Sequence, residues 1–254
     1  MARILSRYSS DRVALELWNE PAISQARRAE WETAQTRMYL AVRAAAPSLT
    51  LVLTGIGGSL HSLLSIDASV LRDSNIYYTF HYYEPAPFTH QGLVSAQDNQ
   101  NVEQFFHDVP FPLTADQAEV AIIGAIGRAH VRAHDNAALR ARLVDKVNDY
   151  RRYLPLTLNE AAIAQQFDKV VVWTHANGIT RSQILLGEFG VMRPHVDPDA
   201  RLRWIDIVRR QAERCGFGWC RWSFDNPASM GMTKNPDLVH FSPGELTALG
   251  LHEE

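Results

Sequence analysis

Two cysteines in 254 residues are too few to staple a fold of this size, which excludes a disulfide-built scaffold. They are Cys215 and Cys220, five positions apart in CGFGWC, around an expected strand start. Regular extended geometry sends them to opposite faces, so both are expected as reduced, buried thiols. No apolar run reaches the roughly 18 residues of a membrane span. The opening stretch MARILSRYSS lacks the apolar core of a secretory signal. A basic excess is missing too. Lys and Arg number 25 against 28 Asp and Glu, so nucleic acid is not an expected partner. No internal repeat, low-complexity tract or linker divides the chain, and a single domain over 1–254 is the economical reading. What is present is a globular balance, 46% hydrophobic and 21% charged, with a mean hydropathy of -0.20.

Apolar runs alternate with amphipathic ones. Residues 2–9 read as the end of a helix. RVALELW is a strand closed by Asn19, Glu20 and Pro21. The following helix carries Trp31, Ala34, Met38, Ala41 and Val42 at helical spacing, and Pro47 lies beyond its end. LTLVLTG is a second strand that runs into a flexible GIGGS. NIYYTFHYYEP is a third. Residues 114–178 read as helix in three pieces, broken near Asp135-Asn136 and at YLPLTLN. SQILLGEFG is a fourth strand. The next helix sets Leu202, Ile205, Val208 and Ala212 on one face and stops at Gly216. FGWCRWSFD is a fifth strand, and a closing helix starts at the N-cap residue Ser242. Strands alternating with helices predict an α/β fold with a parallel sheet.

Ionisable groups gather where strands end. Glu20 closes the first strand, His81 and Tyr83 the third and Glu188 the fourth, while Trp222 lies in the fifth. In parallel α/β folds the C-terminal strand ends form the functional rim. Two glutamates from different strands on one rim suit glycoside hydrolysis, in which one carboxyl protonates the leaving oxygen and the other attacks carbon or activates water. Trp18, Tyr83, Trp219 and Trp222 offer flat apolar faces for sugar rings.

In order, LELWNEP, FHYYEP, FTHQG, ILLGEFG and RWSFD resemble the cellulase family of retaining glycoside hydrolases, family 5 of clan A. The resemblance runs from Val13 to the terminal ALGL, with no family signal in the helical stretch 114–160. It implies a (β/α)8 TIM-barrel type of fold, incomplete, with strands 4 to 8 and their helices. Glu20 then matches the general acid/base and Glu188 the nucleophile. Asn19 matches the residue that bonds the sugar 2-hydroxyl, His81 and Tyr83 line the subsite of the attacked sugar, and Trp222 is the stacking platform. His90 is a candidate substrate contact from a loop.

The implied activity is cleavage of a β-glucan polysaccharide or oligosaccharide by double displacement, as in an endo-β-1,4-glucanase. No metal or other cofactor and no membrane partner is expected. Because the Asn-Glu-Pro strand is the family's fourth, the chain is expected to be the C-terminal portion of a longer, secreted or periplasmic enzyme. The competing expectations are a non-catalytic remnant with weak sugar binding, and a hydrolase of mannan or β-1,3-glucan. Three other features point to no chemistry. Glu16 shares strand parity with Glu20 and reads as an interior hydrogen-bonded group. Gly55, Gly57 and Gly58 lack the spacing of a phosphate loop. His130 and His134 lack the glutamate of a zinc-binding helix and read as a solvated face.

Overall fold

A computed structural model describes residues 1–71, 73–94, 101–226, 229–233 and 240–252. The chain opens with α1 (Ala2–Leu5), β1 (Ala14–Glu16) and α2 (Arg28–Ala45). It continues through β2 (Thr50–Ser59), α3 (Leu60–Leu63), β3 (Ile76–Tyr82) and α4 (Ala86–Thr89). Three long helices follow, α5 (Ala115–Arg132), α6 (Ala137–Thr157) and α7 (Glu160–Asn177). The last elements are β4 (Ile184–Phe189), α8 (Pro198–Cys215), β5 (Gly218–Trp219) and α9 (Pro243–Ala248).

The five strands form one sheet in sequence order, β1-β2-β3-β4-β5, with parallel neighbours. Parallel neighbours require a crossover, and the helices supply it. The central strands β2 and β3 are buried on both faces, whereas β1 and β5 contain no buried residue. Leu51, Val52 and Leu53 are consecutive and buried in β2, and every β3 residue from Tyr78 to Tyr82 is buried. This is the sequential strand order of the barrel type expected, with five strands among the described residues against the eight of a complete barrel.

Contacts divide the chain into two compact units. The first holds 1–82, 166–188 and 212–220, and so the five strands apart from Phe189. Its core rings meet edge to face: Phe80 lies 5.6 Å from Phe167, and Tyr78 lies 5.4 Å from Trp173. Each such ring, fully buried, contributes about 1.5–3 kcal/mol. The second unit holds 83–165, 189–211 and 221–254. There Phe88 packs 5.6 Å from Phe111 and 6.3 Å from Trp204.

The helix breaks fall where side chains cap them. Thr114 and Gln117 form a capping box at the start of α5. Asn136 accepts the Leu139 N–H at the start of α6, and Asn159 accepts the Ala162 N–H within the first turn of α7. Other expectations are corrected. GIGGS is not a loop. It belongs to β2, where the register slips between Thr54 and Ser59 and Gly57 and Gly58 take φ of 65° and 67°. The buried face of α2 is Trp31 and Gln35, while Ala34 and Ala41 are exposed. Trp31 Nε1 and Gln35 Nε2 both donate to the Thr54 carbonyl, at 3.3 and 2.7 Å, which satisfies a buried amide and ties α2 to β2. Ser242 occupies the N-cap of α9, but its side chain makes no cap bond. Both cysteines are free; Cys215 is buried and Cys220 is exposed. The chain leaves regular strand at Trp219, so Cys220 escapes the alternation that would have buried it.

Candidate active site

β1 ends at Glu16, and the chain leaves the sheet in a turn. Leu17 N–H still donates to the Val52 carbonyl at 3.2 Å, and Gly57 N–H donates to the Pro21 carbonyl at 3.0 Å. Both ends of the turn are thus tied to β2. Between these ties Glu20 takes φ of 41°, a region that residues with a Cβ rarely enter. A residue before proline prefers extended backbone, which makes the position costlier still. Strain of this kind, of order 1–3 kcal/mol, persists only where the surroundings impose it.

The turn brings the Glu20 carboxylate to His81. His81 pairs in register with Ser59 of β2, and its side chain is 4% exposed. Its Nδ1 lies 2.6 Å from Glu20 Oε1 and 3.4 Å from Glu188 Oε2, the latter presented by β4. An ionised carboxylate only accepts, so the ring nitrogen between them is the donor. One oxygen of each glutamate and this nitrogen lie within 4.8 Å of one another. Among the described residues, this is the one group of three such donors close enough to share a single metal ion. Gly187 keeps the space beside the imidazole open, since a Cβ there would run into Thr79 Oγ1.

Two neighbours of this cluster carry no motif. Glu16 has its carboxyl pKa raised, mainly by burial, with Glu188 and Glu20 adding to the rise and His81 opposing it. Its Oε1 is buried without a hydrogen-bond partner, which corrects the expectation of a satisfied interior group. β1 is the end strand of the sheet, so strand neighbours flank Glu16 on one side alone. The other neighbour is Gly58, where a Cβ would stand 2.9 Å from Glu20 Cγ and 3.3 Å from His81 Nδ1. Gly57 shares the left-handed backbone but has open space around it. Alanine at either position is expected to cost about 1–2 kcal/mol in backbone strain. Thermal unfolding should therefore penalise both variants, Gly58→Ala the more, because its Cβ also overlaps Glu20 Cγ. Only Gly58→Ala should also move the His81 ring-nitrogen resonance, because only it pushes on the Glu20–His81 contact.

Asn19 is exposed in the same turn as Glu20. Tyr83, His90 and Trp222 lie in the second unit. Tyr83 falls just beyond β3, so strand parity with His81 does not set its direction. His90 follows α4 and is half-buried. Its Nδ1 lies 2.9 Å from Thr89 Oγ1, and its ring meets the Tyr83 ring edge-on at 5.2 Å. Trp222 is not in a strand, because β5 stops at Trp219. It is 50% exposed, and its backbone N–H donates to the Phe189 carbonyl at 3.0 Å.

A family model described as cellulase (glycosyl hydrolase family 5) matches residues 1–227. The chain belongs to that family. Endoglucanase 3 of Fibrobacter succinogenes is 27% identical to this family 5 chain over 212 residues, which cover 82% of the chain and 29% of that protein. A solved endoglucanase superposes with a TM-score of 0.67 and 21% identity, over 98% of the chain and 62% of that structure. The structure of Thermotoga maritima Cel5A in complex with cellobiose gives a TM-score of 0.65 at 19% identity, again over 98% and 62%. The chain thus spans less than a third of the curated relative and under two thirds of the solved structures. At these identities the superpositions establish the family 5 fold. His130 and His134, the pair set aside as a solvated face, are both exposed.

Proposed function

We propose that this family 5 chain carries the carboxylate pair of a retaining glycoside hydrolase acting on a β-glucan, as an endo-β-1,4-glucanase does. One observation supports it above the rest: Glu20 and Glu188 meet at His81 with oxygens inside 4.8 Å. Retaining enzymes hold their carboxyl groups about 5–5.5 Å apart, whereas inverting enzymes leave about 6.5–9.5 Å for a water. Glu188, the less exposed of the two, attacks the anomeric carbon while Glu20 protonates the departing glycosidic oxygen. That transfer leaves Glu20 ionised. The Nδ1–H of His81 then stabilises the new carboxylate, since a charge-assisted bond is about twice as strong as a neutral one. In the second step Glu20 takes a proton from water, the water oxygen bonds to the anomeric carbon, and Glu188 leaves as carboxylate.

Asn19 would bond the sugar 2-hydroxyl, with Tyr83 and His90 contacting substrate. The exposed Trp222 ring offers a flat face for sugar stacking. The cellobiose held by the Thermotoga protein supports a β-1,4-linked glucose unit as ligand. A polymeric glucan cannot enter a cell, which argues for a reaction outside it or in the periplasm. A second reading, sugar binding without turnover, is favoured by β1 and β5 standing at the two ends of the described sheet. Proton NMR of cellopentaose during hydrolysis tests the proposal. The β-anomer should appear first and mutarotate later. An α-anomer appearing first would exclude double displacement, and binding without products would support the second reading.

A further inference from the structure

The second unit contains a buried charge cluster that the chemistry above does not use. Glu245, in α9, is 0% exposed, and three arginines surround it. Arg201 pairs with its Oε1, Arg221 lies 3.6 Å from its Oε2, and Arg193 lies 3.5 Å from Oε1. The Arg201 and Arg221 side chains are 4% and 3% exposed. One buried carboxylate facing three guanidiniums is a costly arrangement, because desolvation opposes every charge. Burial pushes the Arg221 guanidinium down to about 10, against the pull of Glu245.

The two terminal nitrogens of the Arg221 guanidinium show what the cluster holds, while its Nε is buried without a partner. NH1 donates to the Phe189 carbonyl at 3.1 Å and NH2 to the Met230 carbonyl at 2.8 Å. Phe189 directly follows Glu188, and its carbonyl also accepts the Trp222 backbone N–H. Met230 begins the segment whose Met232 N–H donates to the Ser223 carbonyl at 3.0 Å. Arg221 therefore bonds to both backbone segments that flank Trp222. Gly190 completes the fit, because a Cβ there would overlap the Trp222 carbonyl and the Arg221 guanidinium.

We propose that Arg221, anchored by Glu245, is a positioning residue that fixes the Trp222 ring as a sugar platform. It acts through backbone carbonyls and touches no substrate. The platform role rests on the glucan reading, whereas the fixing of Trp222 does not. Arg221→Lys separates the two. Lysine keeps the positive charge for Glu245 but lacks the planar fork that reaches both carbonyls at once.

Hydrogen exchange of the full chain by mass spectrometry should show the Trp222 amide exchanging at least tenfold faster in Arg221→Lys, with α5 unchanged. Acrylamide quenching of Trp222, read as the difference from a Trp222→Phe variant in each background, should rise in parallel. Unchanged exchange at Trp222 overturns the proposal. Faster exchange throughout, α5 included, assigns Arg221 a general stabilising role and overturns it as well. Titration with cellotetraose then reads the consequence, with an expected loss in affinity of at least tenfold. A variant that binds as tightly as the parent, despite a loosened Trp222, overturns the platform role. A parent chain that binds no cellotetraose refutes the glucan reading, and the exchange data still judge whether Arg221 fixes Trp222.

Discussion

Glu188→Gln is expected to lower turnover of carboxymethylcellulose on the order of 10⁵-fold, with little change in the thermal midpoint. An amide cannot supply the electron pair that forms the glycosyl-enzyme bond, so the first step has no route. Glutamine keeps the shape of the side chain, and losing the Glu188 charge relieves the repulsion that adds to the raised pKa of Glu16. Glu20→Gln should differ in kind. It removes the proton donor, a loss of about 10²–10⁴-fold on natural glucan. An aryl cellobioside whose phenol leaves without protonation should bypass that loss in the first step. The glycosyl-enzyme would then accumulate, because the amide that replaces the Glu20 carboxylate cannot activate water. Added azide attacks without a base and should restore turnover in this variant with retained configuration. Rescue with inverted configuration would reverse the roles assigned to the two glutamates. A Glu188→Gln chain that retained most of its turnover would end the mechanism.

That Glu20 and Glu188 would come together was legible because each sits in a stretch with few alternatives. Asn-Glu-Pro after an apolar strand and Gly-Glu-Phe at a strand end both put an acid on the rim. The helix breaks were legible for a similar reason, since Asn136 and Asn159 cap the helices that follow them. Misreadings cluster where a side chain's chemistry is overruled by its setting. Glycines 55, 57 and 58 suggested a loop, yet glycine at these positions lets β2 bulge toward the Glu20 turn. Apolar spacing picked Ala34 and Ala41 for the buried face of α2 and passed over Gln35, whose amide is satisfied by a carbonyl that no local pattern reveals. Trp222 looked like strand because FGWCRWSFD is rich in aromatics, but its backbone partner is a carbonyl 33 positions earlier (222 less 189). Glu245 gave no signal at all and Gly58 none beyond that loop, because what matters at each is the contact made across the fold.

Glu245→Ala is the change expected to cost the most stability. It leaves Arg201 and Arg221 buried without a counter-ion, and breaking a buried pair from one side costs about 3–5 kcal/mol. In a chain of this length that corresponds to a midpoint roughly 10 °C lower, at about 2–4 °C per kcal/mol. Arg193→Ala should cost less, about 1–2 kcal/mol including its bonding to the Gly231 carbonyl, because its side chain is 30% exposed and a 3.5 Å contact links it to Glu245. The order of the two variants is the informative quantity. Equal losses would mean that the cluster works through shape, with the carbonyl contacts of each arginine setting its value. A Glu245→Ala chain as stable as the parent would mean that water reaches Arg201 and Arg221 and hydrates their charge. The same variant also tests the Trp222 segment. Losing Glu245 releases the guanidinium that holds the Phe189 carbonyl, the residue after Glu188, and the Trp222 loop with it. Turnover should therefore fall well below the parent's even at temperatures where the variant is fully folded.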